Sequence, residues 1–272
     1  MATAPQFFPE DLAPGDGKSL ALDRSHFRME CVRDVGAAEF RTAYGALWEE
    51  FGAAHEIENE GVIARRLAWK MEERPGGWAM RYEMIALFAG ETLAAVRDHT
   101  AMTREGQALV HLSHSLVMPA WRRTGLAGWL RALPVDAARR LCADCGLSDK
   151  TPVTLVAEME HLTEATAFRL KAYGKAGFKK VNPTVVPYHQ PDFRPPEIID
   201  ETGGPKPLPF ALLLRNVGHE TGQTITALSL RELVGALYTM YEREFRAPDM
   251  AQCWDWLERF PETGTVQLVE PA

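Results

Sequence analysis

The apolar positions of this chain change period several times, and each change marks an element. Phe27, Met29 and Cys31 alternate with charged residues as in a half-buried strand, whereas Phe40, Tyr44, Leu47, Trp48 and Phe51 recur at the three- and four-residue spacing of a helix face. A second helical stretch runs from Ile57 through Leu67 and Trp69 and has to stop by Arg74-Pro75-Gly76-Gly77. Residues 82–89 and 91–100 read as a hairpin turning near Gly90, and residues 107–118 as the next strand. Leu126, Leu130, Leu133, Leu141 and Cys145 then mark the apolar face of a long helix with Gly146 as its C-terminal stop. Pro134 falls inside it, where an interior proline costs on the order of 3 kcal/mol, so a kink or two helical pieces are expected. Residues 151–160 predict a strand, and a helix with Thr163 as its N-cap carries Tyr173. Residues 181–189 and 207–215 read as paired strands on either side of a Pro- and Gly-rich connection. Ser229 and Glu232 have capping-box spacing before a helix through Phe245, and another helix is expected over 249–260.

One strand departs from the pattern its position demands. A central strand covered on both faces is nearly all apolar, yet residues 110–117 include His111, Ser113, His114 and Ser115. Strict alternation puts His111, Ser113, Ser115 and Val117 on one face and Leu112, His114 and Leu116 on the other. A free imidazole, with an ordinary pKa of about 6.5, can accept a proton close to neutrality. The plainer account of His111 is a buried neutral histidine bonded to a neighbouring hydroxyl. His114 reads as structural.

That strand runs into Met118-Pro119-Ala120-Trp121-Arg122-Arg123-Thr124-Gly125 and out of it comes the long helix. The first turn of a helix has N–H groups without intrahelical partners, and its dipole places about half a positive charge there. Gly125 lets a ligand come near the backbone, and Arg122 and Arg123 can add charge-assisted contacts, so the stretch has the makings of an anion site. Taken alone, such a stretch also describes an ordinary strand-to-helix turn with two solvated arginines.

The wider pattern resembles a known family. Val117, Pro119, Arg122, Gly125 and Ala127 are similar to the coenzyme A pyrophosphate signature of the GNAT superfamily of N-acetyltransferases, and Tyr173, Lys175, Gly177 and Phe178 resemble the motif closing that family's next helix. The resemblance implies an α/β fold with a mixed central sheet flanked by helices, opening between the strands that end near Met118 and Glu160. It implies acetyl-CoA as co-substrate, bonded to the backbone of Leu116 and Val117, with its phosphates on Arg122, Arg123, Thr124, Gly125, Leu126 and Ala127. Thr166 stands seven residues before Tyr173, where many members carry an asparagine that bonds the pantetheine arm. Tyr173 is implied as the acid that protonates the departing thiolate. His111 falls where the family places its base, a glutamate in histone-type members and the first histidine of a His-x-His pair in arylalkylamine acetyltransferases; here Ser113 replaces the second histidine. No metal is required. The function implied is transfer of an acetyl group to a primary amine of a small molecule. Acetylation of protein lysines or N-termini, and a non-catalytic acyl-CoA-binding regulatory module, stay open. Glu56, Glu58, Glu60, Tyr188 and Gln190 are candidates for the acceptor side.

Charge and composition narrow the partners. A net charge of −7 in 272 residues argues against nucleic acid and suits a cationic acceptor. Arg169, Lys171, Lys175, Lys179 and Lys180 form a basic run beside Tyr173, either a solvated helix face or a source of positive potential for coenzyme phosphates. Cys142 and Cys145 have redox or half-zinc-site spacing but lack a second pair, so they read as buried and reduced. No uninterrupted apolar run approaches the length of a membrane span and the first residues lack a leader pattern, which predicts a cytoplasmic protein without a membrane partner. The layout expected is an arm over 1–24 that is disordered or wraps a partner, an acetyltransferase domain over 25–217, and a helical extension over 218–272. That extension could pack on its own domain, close a pocket or form a homodimer.

Overall fold

The computed structural model of the chain describes residues 5–160 and 164–271. The chain divides into two compact units, residues 1–74 with 79–155, and residues 75–78 with 156–272. No helix among the described residues is long and apolar enough to cross a membrane.

The first unit begins with a single helical turn, α1 (Gly17–Ala21), and builds a meander from β1 (Arg28–Val32), β2 (Ala79–Ala89), β3 (Thr92–Arg104) and β4 (Gln107–Val117), each antiparallel to the one before. Its two faces are both covered, which is why β2 and β3 are buried almost end to end. One face takes α2 (Ala38–Phe51) and α3 (Glu60–Leu67), whose Phe40, Tyr44, Leu47 and Ile63 pack with Tyr82, Met84 and Val96. The opposite face takes α4 (Leu126–Asp144), through Leu126, Trp129, Leu130 and Leu133 against Ile85, Leu87 and Ala95.

α4 runs through Pro134 as one helix, so of the kink or break expected there the break does not occur. The proline is itself buried, and a helix that sinks Trp129 and four leucines completely has burial enough to outweigh a penalty of about 3 kcal/mol. Gly146 ends it as foreseen, at φ 71°, with Leu147 N–H donating to Cys142 O at 2.8 Å.

From Phe7 on, the N-terminal arm packs on this unit. Phe7, Leu12 and Phe27 join the α4 cluster, and Asp11, fully buried, accepts from both terminal nitrogens of Arg139 at 2.7 and 2.9 Å. The arm lacks periodicity because its turns are short, and that gave the expectation of disorder.

The unit boundary falls within β5 (Val153–Met159). The second unit continues through α5 (Glu164–Lys175), β6 (Lys179–Val181), β7 (His189–Gln190), α6 (Pro196–Glu201), β8 (Leu208–Pro209), β9 (Ala211–Asn216), β10 (Thr224–Thr226), α7 (Ala227–Tyr241), α8 (Ala247–Glu258) and β11 (Thr265–Val269). Its main sheet runs β5-β9-β6-β11-β10, and β7 and β8 pair separately. The strand expected over 181–189 ends at Val181, because the Asn182 side chain accepts from the Thr184 amide and hydroxyl at 3.0 and 2.8 Å and turns the chain between Pro183 and Pro187. The expected N-cap of the next helix also moves. Thr226, not Ser229, caps α7, accepting the Ser229 N–H at 3.1 Å. Thr163, the expected cap of α5, lies outside the described residues. The C-terminal extension supplies two strands besides its two helices, β11 pairing with both β6 and β10. Inside this unit Glu158 accepts from the hydroxyls of two buried tyrosines, Tyr188 and Tyr241.

Candidate active site

The polar stretch of β4 is built on a bulge. Leu112 lies opposite His99 and Ser115 opposite Arg97, so Ser113 and His114 together face the single residue Asp98. An extra residue shifts the alternation by one. His111 pairs with Thr100, which pairs with Tyr82 on the α2/α3 face, and Leu116 pairs with Val96 on that same face. Ser115 and Val117, opposite Arg97 and Ala95, turn to α4. The strict alternation expected from sequence is therefore overturned: His111 and His114 share a face, and His111 does not share one with Ser115 and Val117.

The histidines differ in chemistry. His114 donates its backbone N–H to Asp98 Oδ1 at 2.7 Å, and its Nδ1 lies 3.0 and 3.1 Å from the two carboxylate oxygens. Its Nε2 is 2.8 Å from Glu56 O. Burial would lower its pKa, but the Asp98 carboxylate overrides burial and raises it to about 9. Asp98, which burial alone would push up, is held well below the usual carboxylate range by His114 and by Tyr82, whose hydroxyl donates at 2.9 Å. At neutral pH His114 is thus an imidazolium donating on both sides, structural as expected and unfit as a base. His111 is buried, with Nδ1 3.3 Å from Ser113 Oγ, the hydroxyl neighbour that the plainer reading foresaw. Glu58 is engaged by the buried Arg66, and Glu56 contributes its carbonyl to His114.

The turn after β4 arranges backbone donors. Trp121 and Arg122 donate to Met118 O and Pro119 O at 2.8 and 3.3 Å, closing a short helical turn. Thr124 Oγ1 then donates to Trp121 O at 2.6 Å and Arg122 Nε to Val117 O at 3.3 Å. Arg123 takes φ 68° and Gly125 φ 116°, both at positive φ. The next amide to find an acceptor is that of Gly128, bonded to Gly125 O at 3.0 Å. The N–H groups of Arg123, Thr124, Gly125, Leu126 and Ala127 have no hydrogen-bond acceptor among the described residues. The side chains of Arg122 and Arg123 are exposed beside them.

Gly125 also makes room for the arm. A Cβ there would stand 2.9 Å from Lys18 O and 3.0 Å from Ser19 N. Sequence reasoning missed Ser19 and Asp98. Ser19 is about a hundred residues away with no local signal, whereas Asp98 stands in a polar run, Arg97-Asp98-His99-Thr100, inside a strand whose flanks are apolar.

In the second unit, Tyr173 sits in the last turn of α5. Phe178 N–H donates to Tyr173 O at 3.1 Å, Gly177 takes φ 80°, and the two rings meet edge to face with centroids 4.9 Å apart. Tyr173 is half-buried and its hydroxyl has no partner among the described residues. Thr166, buried, lies two turns earlier on the same side of the helix. Of the basic run, Lys179 pairs with Glu270 and Lys180 Nζ reaches Pro271 O at 3.4 Å, which ties two cations to the chain's end. His111 and residues 116–127 belong to the first unit, Thr166 and Tyr173 to the second. Tyr188, an acceptor candidate, is buried against Glu158. Cys142 is buried 3.3 Å from Thr103 Oγ1, and burial raises the Cys145 thiol.

No protein-family model matches the chain, and no curated protein matches it. Among solved structures it is similar to a Bacteroides thetaiotaomicron protein assigned to the GNAT family of acetyltransferases, at 17% identity over 70% of this chain and 86% of that one, with a TM-score of 0.43. An acyl-CoA N-acyltransferase from Pseudomonas aeruginosa shares 17% identity over 70% of this chain and 97% of its own, TM-score 0.39. A GNAT family acetyltransferase from Elizabethkingia anophelis, solved with acetyl-CoA bound, shares 11% identity over 71% of this chain and 99% of its own, TM-score 0.39.

Proposed function

We propose that this chain is a GNAT-type acyltransferase that moves the acetyl group of acetyl-CoA to the primary amine of a small molecule. The observation that carries the reading is the run of five amides, Arg123 to Ala127, without acceptors at the start of a long helix, flanked by two exposed arginines. Amides that keep their donors free where a helix begins, at the positive end of its dipole, suit a diphosphate. They coincide with the residues that resemble the family signature.

The coenzyme supplies the thioester. His111 takes the proton of the acceptor amine, directly or through water, so that the nitrogen lone pair can attack the carbonyl carbon. Tyr173 gives its hydroxyl proton to the leaving sulfur, a task for which an O–H without another acceptor is suited. His114, fixed as an imidazolium, holds the bulge and the Glu56 backbone. It takes no proton from the substrate.

Titration calorimetry with CoA and acetyl-CoA tests the reading. The wild type should bind both, and Arg122→Ala with Arg123→Ala should weaken binding by roughly tenfold, the scale of one or two charge-assisted contacts. Wild-type affinity in the double variant, or no binding by the wild type, would move the coenzyme elsewhere or remove it.

A further inference from the structure

The chain carries a contact that its phosphate-loop reading does not use. Ser19, in α1 and buried, donates its hydroxyl to Gly125 O at 2.7 Å. Its own carbonyl accepts from Trp129 Nε1 at 2.8 Å, and Asp16 Oδ1 accepts from Arg131 at 2.6 Å. Two glycines of the loop and helix make room for this segment. A Cβ on Gly125 would stand 2.9 Å from Lys18 O, and one on Gly128 only 2.1 Å from Ser19 Oγ. Neither the hydrogen bonds nor the two sockets are needed to form a helix, and both are spent on residues 16–19.

We propose that residues 16–19 brace the coenzyme-phosphate loop and that Ser19 is a positioning residue for diphosphate binding, an inference that rests on the coenzyme reading above. The carbonyl of Gly125 and the amide of Leu126 belong to one planar trans peptide, so they point in opposite directions. The Gly128 N–H already reaches that carbonyl at 3.0 Å, and the Ser19 hydroxyl adds a second hold from outside the helix, which fixes the Leu126 N–H on the opposite side of the same peptide. A loop with two left-handed residues, Arg123 and Gly125, has other backbone conformations open to it. The brace removes that freedom before the ligand arrives, so that binding does not have to supply the ordering.

The test is Ser19→Ala in the full chain, which removes the hydroxyl and keeps the Cβ that fills the Gly128 socket. The variant should melt close to the wild type, bind CoA about tenfold more weakly, the scale of one well-aligned hydrogen bond, and bind pantetheine, which lacks the diphosphate, as before. Hydrogen exchange of the peptide covering 122–130 should quicken without ligand. A folded variant with wild-type CoA affinity, or equal weakening toward CoA and pantetheine, overturns the brace. If Ser19→Ala fails to fold, Asp16→Asn, which loosens the segment at Arg131 and leaves the socket untouched, has to show the same selective loss. A wild type that fails to bind CoA overturns the coenzyme reading itself. Binding by the wild type with no selective loss in the variants overturns only the brace.

Discussion

Ser113 is one residue more than the pairing of β3 with β4 can accommodate, and that surplus decides what each nearby histidine can do. It swings His114 onto Asp98, where the imidazole is charged, and leaves His111 beside a hydroxyl. The charge on His114 has a pH signature. Its folded pKa, about 9, is above the unfolded value of about 6.5, so the stability it contributes is complete below about pH 6.5 and is lost as pH rises through about 9. Melting temperature measured from pH 6 to 10 should fall more steeply in the wild type than in His114→Asn, and the variant should be less stable at pH 6 by about 3 kcal/mol, since it strands a buried carboxylate. Parallel curves would mean that His114 is neutral in the folded protein. His111 and Tyr173 call for a kinetic test. With any amine found to support thiol release, His111→Ala should lower turnover by roughly a hundredfold or less with partial recovery at higher pH, and Tyr173→Phe should lower kcat while leaving the fold and CoA affinity intact. A folded Tyr173→Phe variant with wild-type kcat would leave Tyr173 as no more than the packing partner of Phe178.

At the scale of elements, helix stops show how much a local pattern can say. Gly146 and Gly177 were both legible as the ends of helices, and both take positive φ, 71° and 80°. Their surroundings were not legible. A Cβ on Gly146 would meet nothing within 4 Å, so Gly146→Ala should cost only the backbone strain of about 1 kcal/mol. A Cβ on Gly177 would stand 2.7 Å from Glu220 Cγ and push that carboxylate from the buried Arg215, which it meets at 2.9 Å. Gly177→Ala should therefore cost about 3 kcal/mol, and equal losses in denaturant titrations of the two variants would show that Glu220 moves aside freely. The same division runs through the candidate site. The apolar periods predict α2, α3, α4 and the meander because each is set by burial of one stripe or face, and the donors after Val117 follow from the start of a helix. The bulge was hidden because nothing in His111 to Ser115 marks it: it exists through the register with β3. The Ser19 contact was hidden because it joins residues 106 apart in sequence. At Pro134 burial keeps the helix unbroken, and at Val181 the Asn182 turn ends the strand early.

For the chain as a whole, the main consequence concerns its first two dozen residues. Their composition, with prolines, glycines and no period, is that of a loose arm, and looseness would make Lys18 and Arg24 early targets of trypsin because both side chains are exposed. The contacts argue otherwise. Phe7 lies against the Trp129 ring at 5.6 Å and beneath the Arg24 guanidinium at 3.7 Å, and the buried Asp11 receives Arg139 on both oxygens and the Phe8 amide at 2.8 Å. A protease needs several residues of extended backbone, so cleavage requires the segment to leave Trp129 and Asp11 to leave Arg139 together. Limited digestion of the native protein should thus spare Lys18 and Arg24 until the first unit opens, with protection that tracks its stability across a denaturant series. Asp11→Ala, which removes the carboxylate from Arg139 while leaving the loop donors and the second unit unaltered, should bring cleavage at Lys18 forward by an order of magnitude or more with little change at other sites, as an about 2 kcal/mol local weakening implies. Rapid removal of the arm from the wild type, with the remainder intact, would return it to the loose segment that its composition suggests.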